Sequence, residues 1–180
     1  MARTLRRVFN CLQLGMTGAN ATTGVWTLTL SAAAVPSGYV NLNKAAASTN
    51  SVVHFNIPHG PRGGLPTNED GQVSVIEVFY QVTTANLSSA PTAVLNKYTT
   101  PGGTGTGLAA LAAVTQSLTF AGVDTVGTVA GAGTAGAHIA VITVTTPFTL
   151  ADYENLALQL TMNEAATSVL NITGVAVTYL

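Results

Sequence analysis

Three histidines, one cysteine and seven acids are the side chains of this chain that could bind a metal or move a proton. His54 sits in the alternating stretch VVHFNI, His59 five residues later in a Pro/Gly-rich segment, and His138 far along the chain. A metal needs ligands that converge on one point. This spacing favours structural or surface histidines, and no metal site is expected. Cys11 has no CxxC partner, so it forms no intrachain disulfide and reads as a small buried hydrophobe. Acid–base catalysis needs two positioned titratable groups. Glu69-Asp70 and Asp152-x-Glu154 lie in turn-like contexts, where such residues serve backbone geometry. Glu77 differs: it lies mid-strand among apolar residues and reads as a solvated or interface-paired carboxylate.

Nucleophile and phosphate chemistry fare no better. No serine stands in a GxSxG frame. GGTGTG has the glycines of a phosphate loop but lacks the following Lys-Ser/Thr and the strand–loop–helix frame. Asn20, Asn86 and Asn171 head N-x-S/T triplets, which a Thr-rich chain produces by chance. Trp26, Phe55 and Tyr80 fall on apolar faces, where core packing is the default. Tyr39, in PSGYVNL, is the ring most expected at the surface. The expectation is a chain with no catalytic residues and no cofactor, hence not an enzyme.

The elements that must position these residues read as strands. VWTLTL sets Trp26, Leu28 and Leu30 against Val25, Thr27 and Thr29. VVHFNI and NLALQLTM alternate in the same way, the mark of a half-buried strand. QVSVIEVFYQVTT (72–84) puts Ile76, Val78, Tyr80 and Val82 on one face. Val73, Val75 and Phe79 share its other face with Glu77 and Gln81. HIAVITVTT (138–146) is apolar on both sides, as in strands covered on both faces. The second cover would be a loop, a helix or a neighbouring subunit. Further strands are expected over 4–14, 92–99, 117–120 and 168–180. Residues 107–118 and 150–156 have short helical potential. The segments 57–72, 100–107 and 126–137 are rich in Gly, Pro, Ala or Thr and read as loops.

The fold class predicted is all-β: an antiparallel β-sandwich, a single jelly roll of about eight strands with long Gly/Ala/Thr-rich loops. Residues 1–14 form a basic arm leading into the first strand, and 15–180 form one sandwich domain.

Charge supplies the strongest constraint. Only 7% of the 180 residues are charged, against about 25% in ordinary soluble proteins. A surface so poor in charge must rely on Thr, Ser, Asn and Gln or be covered by partners. The net charge of -1 gives no whole-chain attraction to nucleic acid or anionic membrane. Yet Arg3, Arg6 and Arg7 crowd into the first seven residues, half of the six basic side chains. Export signals place an apolar stretch after such a cluster. Here Asn10, Gln13, Thr17 and Asn20 interrupt it, so no signal peptide is expected. No run is long and apolar enough for a membrane-spanning helix.

Three stretches, VSVIEVFYQVTTANLSSA, ENLALQLTM…LNITGVAVTYL and MARTLRR, together resemble the small β-sandwich structural proteins of virus and bacteriophage particles. Those are single jelly-roll capsid, vertex and decoration proteins. The resemblance implies a non-enzymatic subunit that assembles with copies of itself, as a trimer or pentamer, and with other virion proteins. It implies a place in the virion, after synthesis in the host cytoplasm. Arg3, Arg6 and Arg7 are then candidates for contact with packaged nucleic acid or a neighbouring subunit. Val73, Val75, Glu77 and Phe79 are candidates for a subunit-interface strand. The rival is a carbohydrate-binding or adhesin-type β-sandwich, which requires exposed aromatic rings in a groove, Tyr39 among them.

Overall fold

The computed structural model describes residues 4–10, 17–19, 26–30, 40–44, 50–58, 71–83, 87, 89–99, 112–114, 116–122, 136–150, 154–163 and 169–180. These form β1 (Leu5–Phe9), β2 (Thr17–Ala19), β3 (Trp26–Leu30), β4 (Val40–Lys44), β5 (Asn50–Ile57) and β6 (Val73–Thr83). They continue with β7 (Ser89–Thr99), β8 (Ala112–Ala113), β9 (Gln116–Gly122), β10 (Gly136–Phe148), β11 (Glu154–Asn163) and β12 (Val169–Tyr179). The described residues contain no helix.

All pairings are antiparallel, in two sheets. The seven-stranded sheet runs β3-β4-β12-β6-β10-β9, and β1 also pairs with β12. The five-stranded sheet runs β2-β5-β11-β7-β8. β4 and β1 share one edge of β12 end to end, β4 on Leu170–Ile172 and β1 on Val175–Tyr179.

The alternating stretches fold as their pattern requires. β11 turns Leu156, Leu158, Leu160 and Met162 inward, and β5 turns Val53, Phe55 and Ile57 inward. From the larger sheet come Ile76, Val78, Tyr80 and Val82 of β6, with Ala140, Ile142 and Val144 of β10. These side chains join one core cluster, so the two sheets form a β-sandwich. Non-local strand pairs dominate, so packing between distant segments stabilises the fold more than local propensity does.

Where they are described, the two segments with helical potential contribute strand instead. Ala112–Ala113 pairs with Asn96 and Lys97, and Gln116–Leu118 pairs with Val144–Ile142. Between them the Val114 N–H donates to the Leu95 carbonyl at 2.9 Å, and Gln116 Nε2 donates to the Ala93 carbonyl at 2.7 Å. The chain thus steps from the edge of one sheet to the edge of the other over a few residues. Strand pairing overrides the helix preference of the alanines. Glu154, Asn155 and Leu156, likewise, already belong to β11.

Two bulges re-aim side chains in the larger sheet. Thr173 is an extra residue on β12 between the pairs Ile172↔Tyr80 and Gly174↔Phe79. Ser74 is an extra residue on β6 between Val73↔Tyr179 and Val75↔Thr178. Each bulged hydroxyl donates to a carbonyl of the opposing strand: Ser74 Oγ to Thr178 at 3.0 Å, Thr173 Oγ1 to Phe79 at 3.3 Å. The bulge at Ser74 inverts the expected facing of Val73. Val73 is fully buried in the core and does not share a face with Val75, Glu77 and Phe79.

Among the described residues, glycine is required at two places. Gly136, opening β10, has φ 147°, a conformation that L side chains rarely adopt. At Gly174 an added Cβ would lie 2.9 Å from the Phe9 carbonyl oxygen. That close approach lets β1 take over the edge of β12 where β4 leaves it.

Candidate functional site: the outer face of the larger sheet

Because facing residues on paired strands share a side, register alone lays out the outer face. One row runs Val8, Ala176, Glu77, Val141, Thr119 across β1, β12, β6, β10 and β9. The next runs Arg6, Thr178, Val75, Thr143, Ser117. A third contains Gly174, Phe79 and Ile139. Val75, Phe79, Ile139 and Val141 are half-buried, and Val8 is 61% exposed. An apolar patch, bordered by the exposed hydroxyls of Ser117, Thr119 and Thr143, thus lies on a sheet whose inner face already fills the core.

One ion pair crosses it. Arg6 Nε donates to Glu77 Oε2 at 2.7 Å. Their strands flank β12, so they stand about two inter-strand spacings apart, roughly 10 Å. The two side chains meet over β12, where Ala176 is fully buried and Gly174 has no side chain. Small residues on β12 make room for the bridge. The Arg6 guanidinium also lies 5.8 Å from the centre of the Phe79 ring. Arg6 thereby neutralises the carboxylate that interrupts the apolar face.

The expected site residues separate accordingly. Val75, Glu77, Phe79 and Arg6 come together on this face. Val73 leaves it for the core. Arg7, next to Arg6 on β1, projects to the opposite side of the sheet, where it is exposed and its charge is felt by Tyr179. Arg6 and Arg7 therefore do not make one basic patch, and Arg3 lies outside the described residues. Sequence reading missed Val8, Ile139 and Val141 as members of the face. The two-sided apolar character of HIAVITVTT is the signal that contained two of them.

The other titratable groups do not assemble a catalytic centre among the described residues. His138 is buried and stacks on Tyr80, ring centres 5.2 Å apart. His54 sits on the outer side of the smaller sheet, opposite Gln159. His59 and Tyr39 lie outside the described residues. Glu154 pairs with Lys97 at 2.7 Å on the smaller sheet, remote in register from Glu77. Lys97 Nζ also stands 5.9 Å from the Phe148 ring centre. No group of three metal-ligating side chains occurs among the described residues. Among them, too, no helix is long and apolar enough to cross a membrane. Burial holds the phenols of Tyr80 and Tyr179 in the protonated form; that of Tyr179 is pushed up to about 12, partly offset by Arg7. The Tyr179 hydroxyl donates to the Pro58 carbonyl at 2.8 Å, tying the end of the larger sheet to the exit from β5.

No protein-family model matches this chain, and no curated protein matches it significantly.

Proposed function

We propose that this protein is a non-enzymatic structural subunit of a viral-type particle, self-assembling through the outer face of its larger sheet. The observation that carries the reading is the apolar face of Val8, Val75, Phe79, Ile139 and Val141, whose one carboxylate is already paired within the subunit. In a chain with 7% charged residues, other copies of the same surface are the natural cover. Two such faces packed on each other close a dimer; a trimer or pentamer forms when the face packs against a different surface of the next copy, in a ring of defined size.

The strand order supports the shell-protein reading. β1-β12-β6-β10 in one sheet and β5-β11-β7-β8 in the other is an arrangement compatible with two interlocked Greek keys, the jelly roll used by many capsid proteins. Arg6 serves the subunit's own face in this reading. Arg7 is then the described arginine available to a neighbour or to packaged nucleic acid, a weak and salt-dependent contact.

Multi-angle light scattering at micromolar concentration tests the reading. A discrete oligomer is expected, and electron microscopy of particles from the protein's source should place it in them. A monodisperse monomer that is absent from particles contradicts it.

A further inference from the structure

The outer face of the smaller sheet has a different chemistry. Across β5, β11 and β7, one row reads Asn56, Ala157, Asn96 and the next His54, Gln159, Val94. Tyr98 faces Asn155 one row further on. No Asp, Glu, Lys or Arg stands in these rows. Tyr98 on β7 donates its hydroxyl to Asn56 Oδ1 on β5 at 3.5 Å, although β11 lies between the two strands. The side chain must therefore lie down across β11, where Ala157 is small enough to admit it. Laid this way, the half-buried ring keeps part of its surface open to solvent. Four primary amides, Asn155, Asn56, Asn96 and Gln159, stand in these rows, Asn155 directly opposite Tyr98.

We infer that this surface is a binding site for a neutral sugar, stacked on the Tyr98 ring and held by those amides. A pyranose ring presents C–H bonds on one face and hydroxyls around its rim. The C–H face of the sugar matches the plane of an aromatic ring. Each hydroxyl both donates and accepts, and a primary amide does both. The absence of charge selects neutral over sialylated or sulfated sugars. The site lies on the opposite side of the sandwich from the apolar face, so it stands whether or not the chain self-assembles.

The test is a glycan array of neutral and acidic oligosaccharides probed with the full chain, followed by calorimetric titration with the best neutral oligosaccharide. Saturable binding with a Kd of about 1 mM or tighter is expected. Tyr98→Ala should weaken it at least about tenfold, while Tyr98→Phe, which keeps the ring, stays within about threefold. Should Tyr98→Ala fail to fold, Asn96→Ala provides the second arm, with an expected loss of about fivefold. Failure of every neutral glycan to bind, binding confined to acidic glycans, or binding indifferent to Tyr98→Ala and Asn96→Ala would overturn the proposal.

Discussion

The two outer faces of this sandwich are built from the same kind of strand and reach opposite surface chemistries. The larger sheet presents Val8 exposed and Val75, Phe79, Ile139 and Val141 half-buried, bordered by exposed Ser117, Thr119 and Thr143 and crossed by the Arg6–Glu77 ion pair. The smaller sheet exposes Asn56, Thr92 and Val94, with Asn96, Gln159, Thr161 and Tyr98 half-buried. Apart from the Arg6–Glu77 pair, the described residues of these rows carry no charge to water. One face meets water with amides and hydroxyls, which suits solvent or a neutral ligand. The other is poorly suited to water and well suited to a copy of itself. For the proposed self-assembly, the difference points to one side: the apolar patch lies on the outer face of the larger sheet.

Introducing a charge on each face should break the contrast most strongly. Ile139→Lys places an ammonium amid the apolar face and should weaken self-association by about 2–4 kcal/mol, the cost of losing an interface anchor. Val94→Lys, at a position 44% exposed on the other face, should leave association unchanged. Sedimentation velocity on both variants checks this. Equal effects of the two would erase the distinction.

Next in size is the seam that builds the apolar face. Gly174→Ala forces a Cβ against the Phe9 carbonyl and should cost about 1–3 kcal/mol. β1 would loosen, and amide exchange over Leu5–Phe9 should accelerate before global unfolding. Protection unchanged across β1 would show that the close approach can relax.

The effect of alkali comes third. The phenol of Tyr179 ionises near pH 12 when folded, against 10.0 ordinarily, and burial raises Tyr80 in the same direction. A raised folded value means the stability is fully present below pH 10 and is lost as pH rises towards 12. Denaturation midpoints should fall across that window, with late phenolate absorbance appearing together with unfolding. Tyr179→Phe should flatten part of the fall. The smallest effect belongs to the Arg6–Glu77 bridge. Its Arg6 side chain is 47% exposed, so Arg6→Ala should cost the isolated subunit at most about 1 kcal/mol and less at high salt. Its effect on association should be larger, because it strands Glu77 on an apolar face.

Much of the fold was legible in the sequence because its strands alternate. Leu156, Leu158, Leu160 and Met162 were readable as a core face, as were Val53, Phe55 and Ile57. β4 was not: Val40–Lys44 interleaves Asn41 and Asn43 beside a Pro-Ser-Gly turn signal, and it resembles loop. β2 and β8 have three and two residues, too short to show a period. Val73 was misplaced because a bulge shifts parity by one residue, and nothing local in VSVIEV announces it. The Arg6–Glu77 bridge was invisible for another reason. Its partners are 71 residues apart, and only the placement of β1 and β6 on either side of β12 joins them. Tyr98 could be read as a β-former, but its passage across β11 to Asn56 is a property of the assembled sheet.

The central claim is that the outer face of the larger sheet drives assembly. Light scattering on the wild type and on Ile139→Lys, side by side at the same micromolar concentration, tests it most directly. A discrete oligomer is expected for the wild type and a folded monomer for the variant. A wild-type monomer, or a variant oligomer of unchanged mass, would contradict it.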